Sequence, residues 1–341
     1  MSKDIYLTYI DQFHSFLIQS GLMGTDEVPH YKPLPGGVSS DIWHVELPNR
    51  QLCIKRALAK LKVKEDWQAP ISRNATEVDW LETANKIVPE CAPRVLAHDP
   101  DRSMFAMQFI PPETGKLWKE KLKNGSAKPA FASTVGYTLA AIHATSMNMP
   151  DLAQRFATDE VFRAIRLKPY LETTARRHPD LMPELTELTE TTASTKLALV
   201  HGDISPQNIL VCGNQPVFID AEYTWSGDHA FDLAFCLNHF LLKCIWIPNL
   251  ATKLILCFNA MTKAYLSNIP AHYAASIETR AARLLPALFL ARIDGKFPVE
   301  YITSEVDKDK VRQAARSMLK APVKELALVA HRWADEIGAV L

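Results

Sequence analysis

The sequence predicts an α+β fold of two lobes, a small sheet lobe at residues 1–111 and a larger, mainly helical lobe at residues 112–341. Strand-like alternation dominates the first lobe, and helical spacing dominates after the Pro111-Pro112 break. One strand-rich island, residues 197–220, interrupts the helices. Strands and helices segregated along the chain are typical of α+β proteins, so we expect a bilobal arrangement.

The individual elements follow from hydrophobic period and turn residues. In the first lobe the pattern predicts a helix at 3–20, strands near 31–34, 41–47 and 51–55, a helix at 73–88, and strands at 94–97 and 104–110. In the second lobe it predicts helices near 129–147, 158–176, 179–194, 228–246, 249–267, 270–292 and 307–339. The island itself is predicted to hold one hairpin.

Composition excludes several classes of protein. Of the 341 residues, 48% are apolar and 22% charged, which is typical of a globular chain rather than a disordered one. The net charge of zero gives no indication of nucleic-acid binding. Charged residues interrupt the most apolar stretch, 231–250, so we expect a buried helix and no membrane contact. The six cysteines lack metal-ligand spacing and there is no leader-like apolar run, which predicts free thiols in the cytoplasm. The oligomeric state is not predicted.

The strand-rich island, residues 197–220, contains the candidate catalytic and metal-binding residues. Asp203 and Asn208 lie five residues apart on one loop, and Asp220 follows the next apolar strand. Phosphoryl transfer to an alcohol needs a carboxylate that accepts the hydroxyl proton and oxygen ligands that hold Mg²⁺ against the phosphates. The pattern therefore indicates a kinase that uses ATP (or GTP) and Mg²⁺.

The motif His201-Gly-Asp-x-x-x-x-Asn208, followed by Ile219-Asp-x-Glu222 and Gly227-Asp-x-Ala-Phe-Asp232, resembles the aminoglycoside phosphotransferase family. That family, with choline kinase and methylthioribose kinase relatives, has a protein-kinase-like fold. The resemblance implies that Asp203 is the catalytic base and that Asn208 and Asp220 hold the metal. It further implies that Asp232 and His201 are structural.

In the first lobe the strand ending at Lys55 resembles the kinase strand whose lysine contacts the α- and β-phosphates, and Glu77 on the next helix is predicted to hold it. The turn with Gly36, Gly37 and Ser39 either covers the phosphates or is a simple β-turn. Gln108 and Ile110, just before the Pro-Pro break, are predicted to bind adenine through their backbone.

The acceptor is the least determined part. We predict a small-molecule alcohol (a sugar, an amino alcohol or a hydroxy amino acid) as the partner, with an aminoglycoside antibiotic as the alternative. Residues 240–341 hold 14 lysines and arginines against 9 acidic residues, which disfavours a polycation. Candidate contacts are Glu222, Trp225, Arg292 and Asp294, although the last two also fit a solvated salt-bridge cluster. A nucleotide-binding protein without catalysis is the alternative from another class.

Overall fold

The computed structural model describes residues 3–35, 39–58 and 70–339. The chain divides into two compact units, Met1–Pro112 and Glu113–Leu341. Among the described residues, the first unit combines an antiparallel sheet with two helices, and helices dominate the second, so the predicted α+β class is confirmed.

The first unit is built on a five-stranded antiparallel sheet of order β1-β2-β3-β5-β4. Its elements are α1 (Lys3–Gln19), β1 (His30–Pro33), β2 (Ser40–Leu47), β3 (Arg50–Ala57), α2 (Arg73–Ile87), β4 (Val95–Asp99) and β5 (Met104–Gln108). Phe13 of α1 packs on Trp43 of β2, with ring centroids 5.7 Å apart, in a fully buried cluster. Burial of these aromatic side chains supplies much of the stability of this unit.

The strand β3 lies at the centre of this sheet and positions Lys55. That residue pairs in register with Ile42 of β2 and Phe105 of β5, so strands on both sides fix its backbone. The predicted strand at 104–110 is two residues too long, because β5 ends at Gln108. Pro111 and Pro112 follow, and neither has an N–H group to extend a ladder.

The second unit combines helices with two small sheets. The larger elements are α4 (Pro129–Ser146), α8 (Met182–Ser194), α9 (Ala230–Trp246), α10 (Ala251–Ser267), α11 (Ala271–Asp294), α12 (Glu305–Lys320) and α13 (Leu326–Ile337). The short ones are β6 (Gly115–Leu117), α3 (Trp118–Lys123), α5 (Leu152–Arg155), α6 (Asp159–Phe162), α7 (Thr173–Arg177), β7 (Ala198–Val200), β8 (Ile209–Cys212), β9 (Gln215–Phe218) and β10 (Trp225–Gly227). The predicted hairpin is β8–β9, and β7 pairs with β10.

Two predicted helices are wrong in detail. The predicted helix at 307–339 is two helices, α12 and α13, because Pro322 stands between them and cannot continue the first. The predicted helix at 158–176 contains a π-helical segment, Arg163–Glu172, with Pro169 inside it. Neither β6 nor α3 was predicted.

The helix α9 forms the core of the second unit. Every residue from Ala230 to Cys244 is buried, including the polar residues Asp232, His239 and Lys243. In the described part of the chain, no helix is both long and apolar enough to cross a membrane.

Candidate active site

The loop that contains Asp203 and Asn208 lies between β7 and β8 and begins with His201 and Gly202. Gly202 has φ +80°, and a Cβ atom there would lie 2.5 Å from the backbone oxygen of Tyr223. Only glycine fits this position, because both the backbone conformation and the close approach exclude a side chain. Burial lowers the pKa of His201 to about 4, so its ring is neutral. Its Nδ1 accepts a hydrogen bond from the N–H of Asp203.

Asp232, in the first turn of α9, anchors this loop. Its carboxylate accepts the N–H of His201 at 2.7 Å and the N–H of Gly202 at 2.9 Å. Nε2 of His143 lies 3.3 Å from the same carboxylate, and Nδ1 of that ring meets the hydroxyl of Tyr265. The hydrogen bonds agree with the structural role expected for Asp232, since each oxygen satisfies a buried backbone donor.

The carboxylate of Asp203 is held on both oxygens. Nη2 of Arg166 lies 2.9 Å from Oδ1, and Nδ2 of Asn208 donates to Oδ2 at 2.7 Å. The side chain is 10% exposed. Burial raises the pKa of Asp203, while the Arg166 charge and the Asn208 hydrogen bond oppose that rise. Asp203 is thus a fixed, nearly buried carboxylate with a strengthened affinity for a proton, as a general base requires.

The sequence analysis did not identify Arg166, which lies in the π-helical segment. Pro169 has no N–H to offer the carbonyl of Ile165 four residues earlier, and Nη1 of Arg166 donates to that carbonyl instead. Nε of Arg166 donates to the oxygen of Gly202 at 2.5 Å, and the guanidinium lies 4.1 Å from the ring centroid of Tyr223. Pro169, inside a predicted helix, was the available sequence signal for an irregular segment. π-helical turns occur frequently at functional sites.

Asn208 and Asp220 are brought together by one backbone hydrogen bond. The N–H of Ile219 donates to the oxygen of Asn208 at 3.0 Å, and Asp220 is the next residue. Asp220 adopts φ +66°, a left-handed conformation that aspartate tolerates better than most residues. Nδ2 of Asn208 is used by Asp203, so its Oδ1 is the atom left for a cation. An amide oxygen and a carboxylate suit Mg²⁺, so these residues fit the predicted metal.

In the first unit Lys55 and Glu77 form a buried ion pair. Nζ of Lys55 lies 2.8 Å from Oε1 and 2.7 Å from Oε2 of Glu77, and both side chains are at most 3% exposed. This is the pairing predicted from the sequence. The contact of Lys55 with phosphates stays a prediction.

The other predicted nucleotide contacts are the turn residues Gly36, Gly37 and Ser39 and the backbone of Gln108 and Ile110. Gly36 and Gly37 lie outside the described residues. Ser39 is buried, and its backbone oxygen accepts from Nη2 of Arg73 at 2.5 Å. The N–H of Gln108 donates to the oxygen of Arg94 at 2.8 Å, so this amide is not available to adenine. Ile110 follows the end of β5 and is half-buried.

Two predicted acceptor contacts are corrected by the structure. Trp225 is 1% exposed, its ring stacks on Phe162 at 4.2 Å, and the ammonium of Lys196 lies 4.0 Å from the ring centroid. The ring therefore presents no face to an acceptor. The carboxylate of Asp294 is bound by the guanidinium of Arg312 at 2.8 and 2.9 Å and by His178 at 3.0 Å, which makes it a structural ion pair.

The remaining two acceptor candidates are buried. Glu222 is 2% exposed and neighbours Asp220 along the chain. Arg292 is 8% exposed and makes no ion pair with a described residue; Nη1 donates to the hydroxyl of Tyr170 and to the oxygen of Phe297. Arg292 and Asp294 thus bind different neighbours and do not form the single cluster that the sequence suggested.

An α+β chain with a doubly held aspartate, a neighbouring asparagine and a buried lysine–glutamate pair has the groups of a phosphotransferase. The sequence profile described as the phosphotransferase enzyme family matches residues 30–247, and the chain belongs to that family.

Among curated relatives, the chain is 26% identical over 230 residues to a methylthioribose kinase of Yersinia pseudotuberculosis. The match covers 59% of this chain and 55% of that enzyme, so the chain spans about half the length of the curated relatives it matches.

Solved structures share the fold. An ethanolamine kinase of Plasmodium vivax is 13% identical, with a TM-score of 0.62 over 94% of this chain and 91% of that one. A choline/ethanolamine kinase family protein of Mesorhizobium loti is 15% identical, with a TM-score of 0.50 over 95% and 97% of the two chains. The protein-kinase-like fold expected from the sequence is confirmed.

Proposed function

We propose that the protein is an ATP-dependent phosphotransferase that transfers the γ-phosphoryl group to a hydroxyl of a small molecule. The observation that carries the proposal is the carboxylate of Asp203, buried and held on both oxygens by Arg166 and Asn208. A carboxylate fixed in this way is suited to one task, the orientation and deprotonation of a single hydroxyl. Membership of the phosphotransferase enzyme family supports the same reaction.

In the proposed reaction Asp203 accepts the hydroxyl proton while the acceptor oxygen bonds to the γ-phosphorus. The bond between that phosphorus and the bridging oxygen of the donor breaks in the same step, and ADP leaves. Arg166 keeps the carboxylate in place and compensates part of the cost of burying it. The reaction needs no covalent intermediate on the protein.

The donor is proposed to bind as its magnesium complex, with Oδ1 of Asn208 and the carboxylate of Asp220 as metal ligands. Mg²⁺ supplies charge neutralisation on the phosphate oxygens. Lys55, oriented by Glu77, is proposed to contact the α- and β-phosphates. On this proposal residues 1–111 form the nucleotide-binding lobe and residues 112–341 the catalytic and acceptor lobe. The six free cysteines fit a reducing, cytoplasmic compartment.

The test is an ADP-release assay across sugars, amino alcohols, hydroxy amino acids and aminoglycosides such as kanamycin, with ATP and GTP as donors. We expect acceptor-dependent ADP release by the natural protein and its loss in Asp203→Asn. The proposal fails if no acceptor stimulates ADP release, or if Asp203→Asn is equally active. Nucleotide binding without any turnover would favour the non-catalytic alternative.

A further inference from the structure

A face of α9 beyond Asp232 carries a row of buried side chains. Phe235, His239 and Lys243 are spaced four residues apart, which places them on one side of the helix. The ring of Phe235 lies 5.6 Å from that of Tyr170 in the π-helical segment. The row therefore starts next to the segment that holds the proposed base and continues along the helix away from it.

Arg292 of α11 adds a second buried cation at this face. Its guanidinium carbon lies 5.8 Å from the ring centroid of Tyr170, the same ring that contacts Phe235. Nη1 has two neutral acceptors, but Nε is buried and has no partner among the described residues. A buried guanidinium with an unpaired donor and no carboxylate is costly, because burial removes hydration without replacing it.

Lys243 is the other buried cation at this face. It is 1% exposed, and within the described chain it makes no ion pair. Its ammonium lies 4.7 Å from the ring centroid of Trp246 and 4.3 Å from that of Tyr301. Glu300, the sequence neighbour of Tyr301, acts to raise the pKa of Lys243, but its carboxylate is paired with Lys119. Aromatic faces stabilise the ammonium only in part.

Two further polar side chains, those of His239 and Tyr301, belong to this cluster. Nε2 of His239 and the hydroxyl of Tyr301 are buried and unpaired among the residues described. Burial and the charges of Arg292 and Lys243 lower the pKa of His239, so its ring is a neutral group beside two cations. The charge of Arg292 also acts to lower the pKa of Asp203.

We propose that the acceptor carries, besides the hydroxyl that is phosphorylated, a compact anionic group (a carboxylate or a phosphate) that is bound by Arg292 and Lys243. The inference rests on the proposed function and narrows its acceptor class. An anion supplies the missing counter-charge for both cations, and it accepts hydrogen bonds from Nε of Arg292, from His239 and from Tyr301. A quaternary ammonium or a polycationic antibiotic would meet like charges instead.

The first test is direct binding and needs no turnover. Inorganic phosphate and D-glycerate are titrated separately into the protein saturated with ADP and Mg²⁺, with affinity measured by calorimetry. Lys243→Met and Arg292→Gln are compared with Lys253→Met and Arg283→Gln, which remove an exposed cation from α10 and a half-buried one from α11. Arg292→Lys, which keeps the charge, covers the case in which Arg292→Gln does not fold.

We expect at least one probe to bind, and its affinity to fall about 10-fold or more in Lys243→Met and Arg292→Gln, as for a lost charged hydrogen bond. The two controls should leave it unchanged, and Arg292→Lys should retain part of it. The probe that responds distinguishes a carboxylate from a phosphate acceptor. Binding that is absent, or unaffected by the cluster variants, overturns the proposal.

The second test compares acceptors that differ in charge: glycerol, ethanolamine, D-glycerate and glycerol 3-phosphate, each with ATP and Mg²⁺. We expect kcat/KM to be highest for one of the two anions, and the preference to disappear in Lys243→Met. Higher kcat/KM for glycerol or ethanolamine overturns the anionic acceptor while leaving the phosphotransferase intact. If none of the four compounds is phosphorylated, the ADP-release assay across all acceptor classes decides the proposed function, and the probe titration alone decides the anion site.

Discussion

Arg166 and Asp203 form a buried ion pair in which Nη2 of the arginine lies 2.9 Å from Oδ1 of the aspartate. The other carboxylate oxygen is bound by Asn208, so the two contacts together restrict rotation of the Asp203 carboxylate. The proposed base is therefore oriented before any substrate arrives, which reduces the ordering that the reaction itself must supply.

Replacing Arg166 should change the pH dependence of the reaction. The Arg166 charge acts to lower the pKa of Asp203, so Arg166→Met should raise that pKa. Since the base must be unprotonated, the acidic limb of the kcat profile should move up by about 1–3 pH units, with activity recovering toward alkaline pH. The profile of Arg163→Gln, an exposed arginine of the same segment, is the control. An unshifted limb in Arg166→Met would show that Asp203 is not the titrating base.

Asp203→Asn keeps the shape of the side chain and removes the proton acceptor. We expect kcat to fall by about 10²–10⁴, the usual contribution of a positioned general base, while ATP affinity stays near normal. Single-turnover kinetics together with a nucleotide titration separate the two quantities. Retention of more than half of the natural kcat, with chemistry limiting, would remove Asp203 from this role.

Asp220→Ala should abolish the tightening of ATP binding by magnesium, because it removes the one carboxylate assigned to the metal besides the nearby base. Calorimetric titrations of ATP with and without Mg²⁺ measure the effect. Asp335→Ala, which removes an exposed carboxylate from α13, is the matched control. A magnesium effect of unchanged size in Asp220→Ala means that other residues hold the metal.

Lys243 should lower the stability of the fold at neutral pH. Burial and the charges of Lys119 and Arg292, opposed by Glu300, lower its pKa to about 7, against about 10.4 in an unfolded chain. Between these values the unfolded chain binds more protons, so this lysine makes the free energy of unfolding rise with pH up to about 10.

Lys243→Met removes that dependence, so the variant should be more stable than the natural protein at pH 7, and the difference should shrink toward pH 10. Each kcal/mol raises the denaturation midpoint by about 2–4 °C for a unit of this size. Thermal denaturation at several pH values, with Lys253→Met as control, measures it. A Lys243→Met variant that is less stable at pH 7 would mean that the lysine is a stabilising part of the core.

The sequence predicted the parts of the site that share one loop or depend on the phase of a regular helix. Asp203 and Asn208 share one loop, and the phase of a regular helix was enough to select Glu77 as the partner of Lys55. The sequence analysis did not identify Arg166 as a site residue, because its π-helical segment has a different phase from the α-helix that was predicted.

The sequence also did not predict which charged residues pair at the end of α11. Asp294 was interpreted with Arg292 because the two are neighbours in sequence, yet its partner is Arg312 of the following helix. Periodicity contains no information about which of several nearby charges pair, since that depends on how α11 and α12 pack. The burial of Lys243 could be predicted from the apolar sequence of α9, but its lack of a carboxylate partner among the described residues could not.

The bond between Asp232 and two consecutive amides has a consequence for motion. The loop that starts at His201 has no regular structure, yet its first two amide hydrogens are bound by a side chain in the first turn of α9. They can exchange with solvent only when that turn opens, so their opening free energy is that of a buried helix rather than of a surface loop. The segment that must be most accurately placed for chemistry therefore takes its rigidity from the core of the unit.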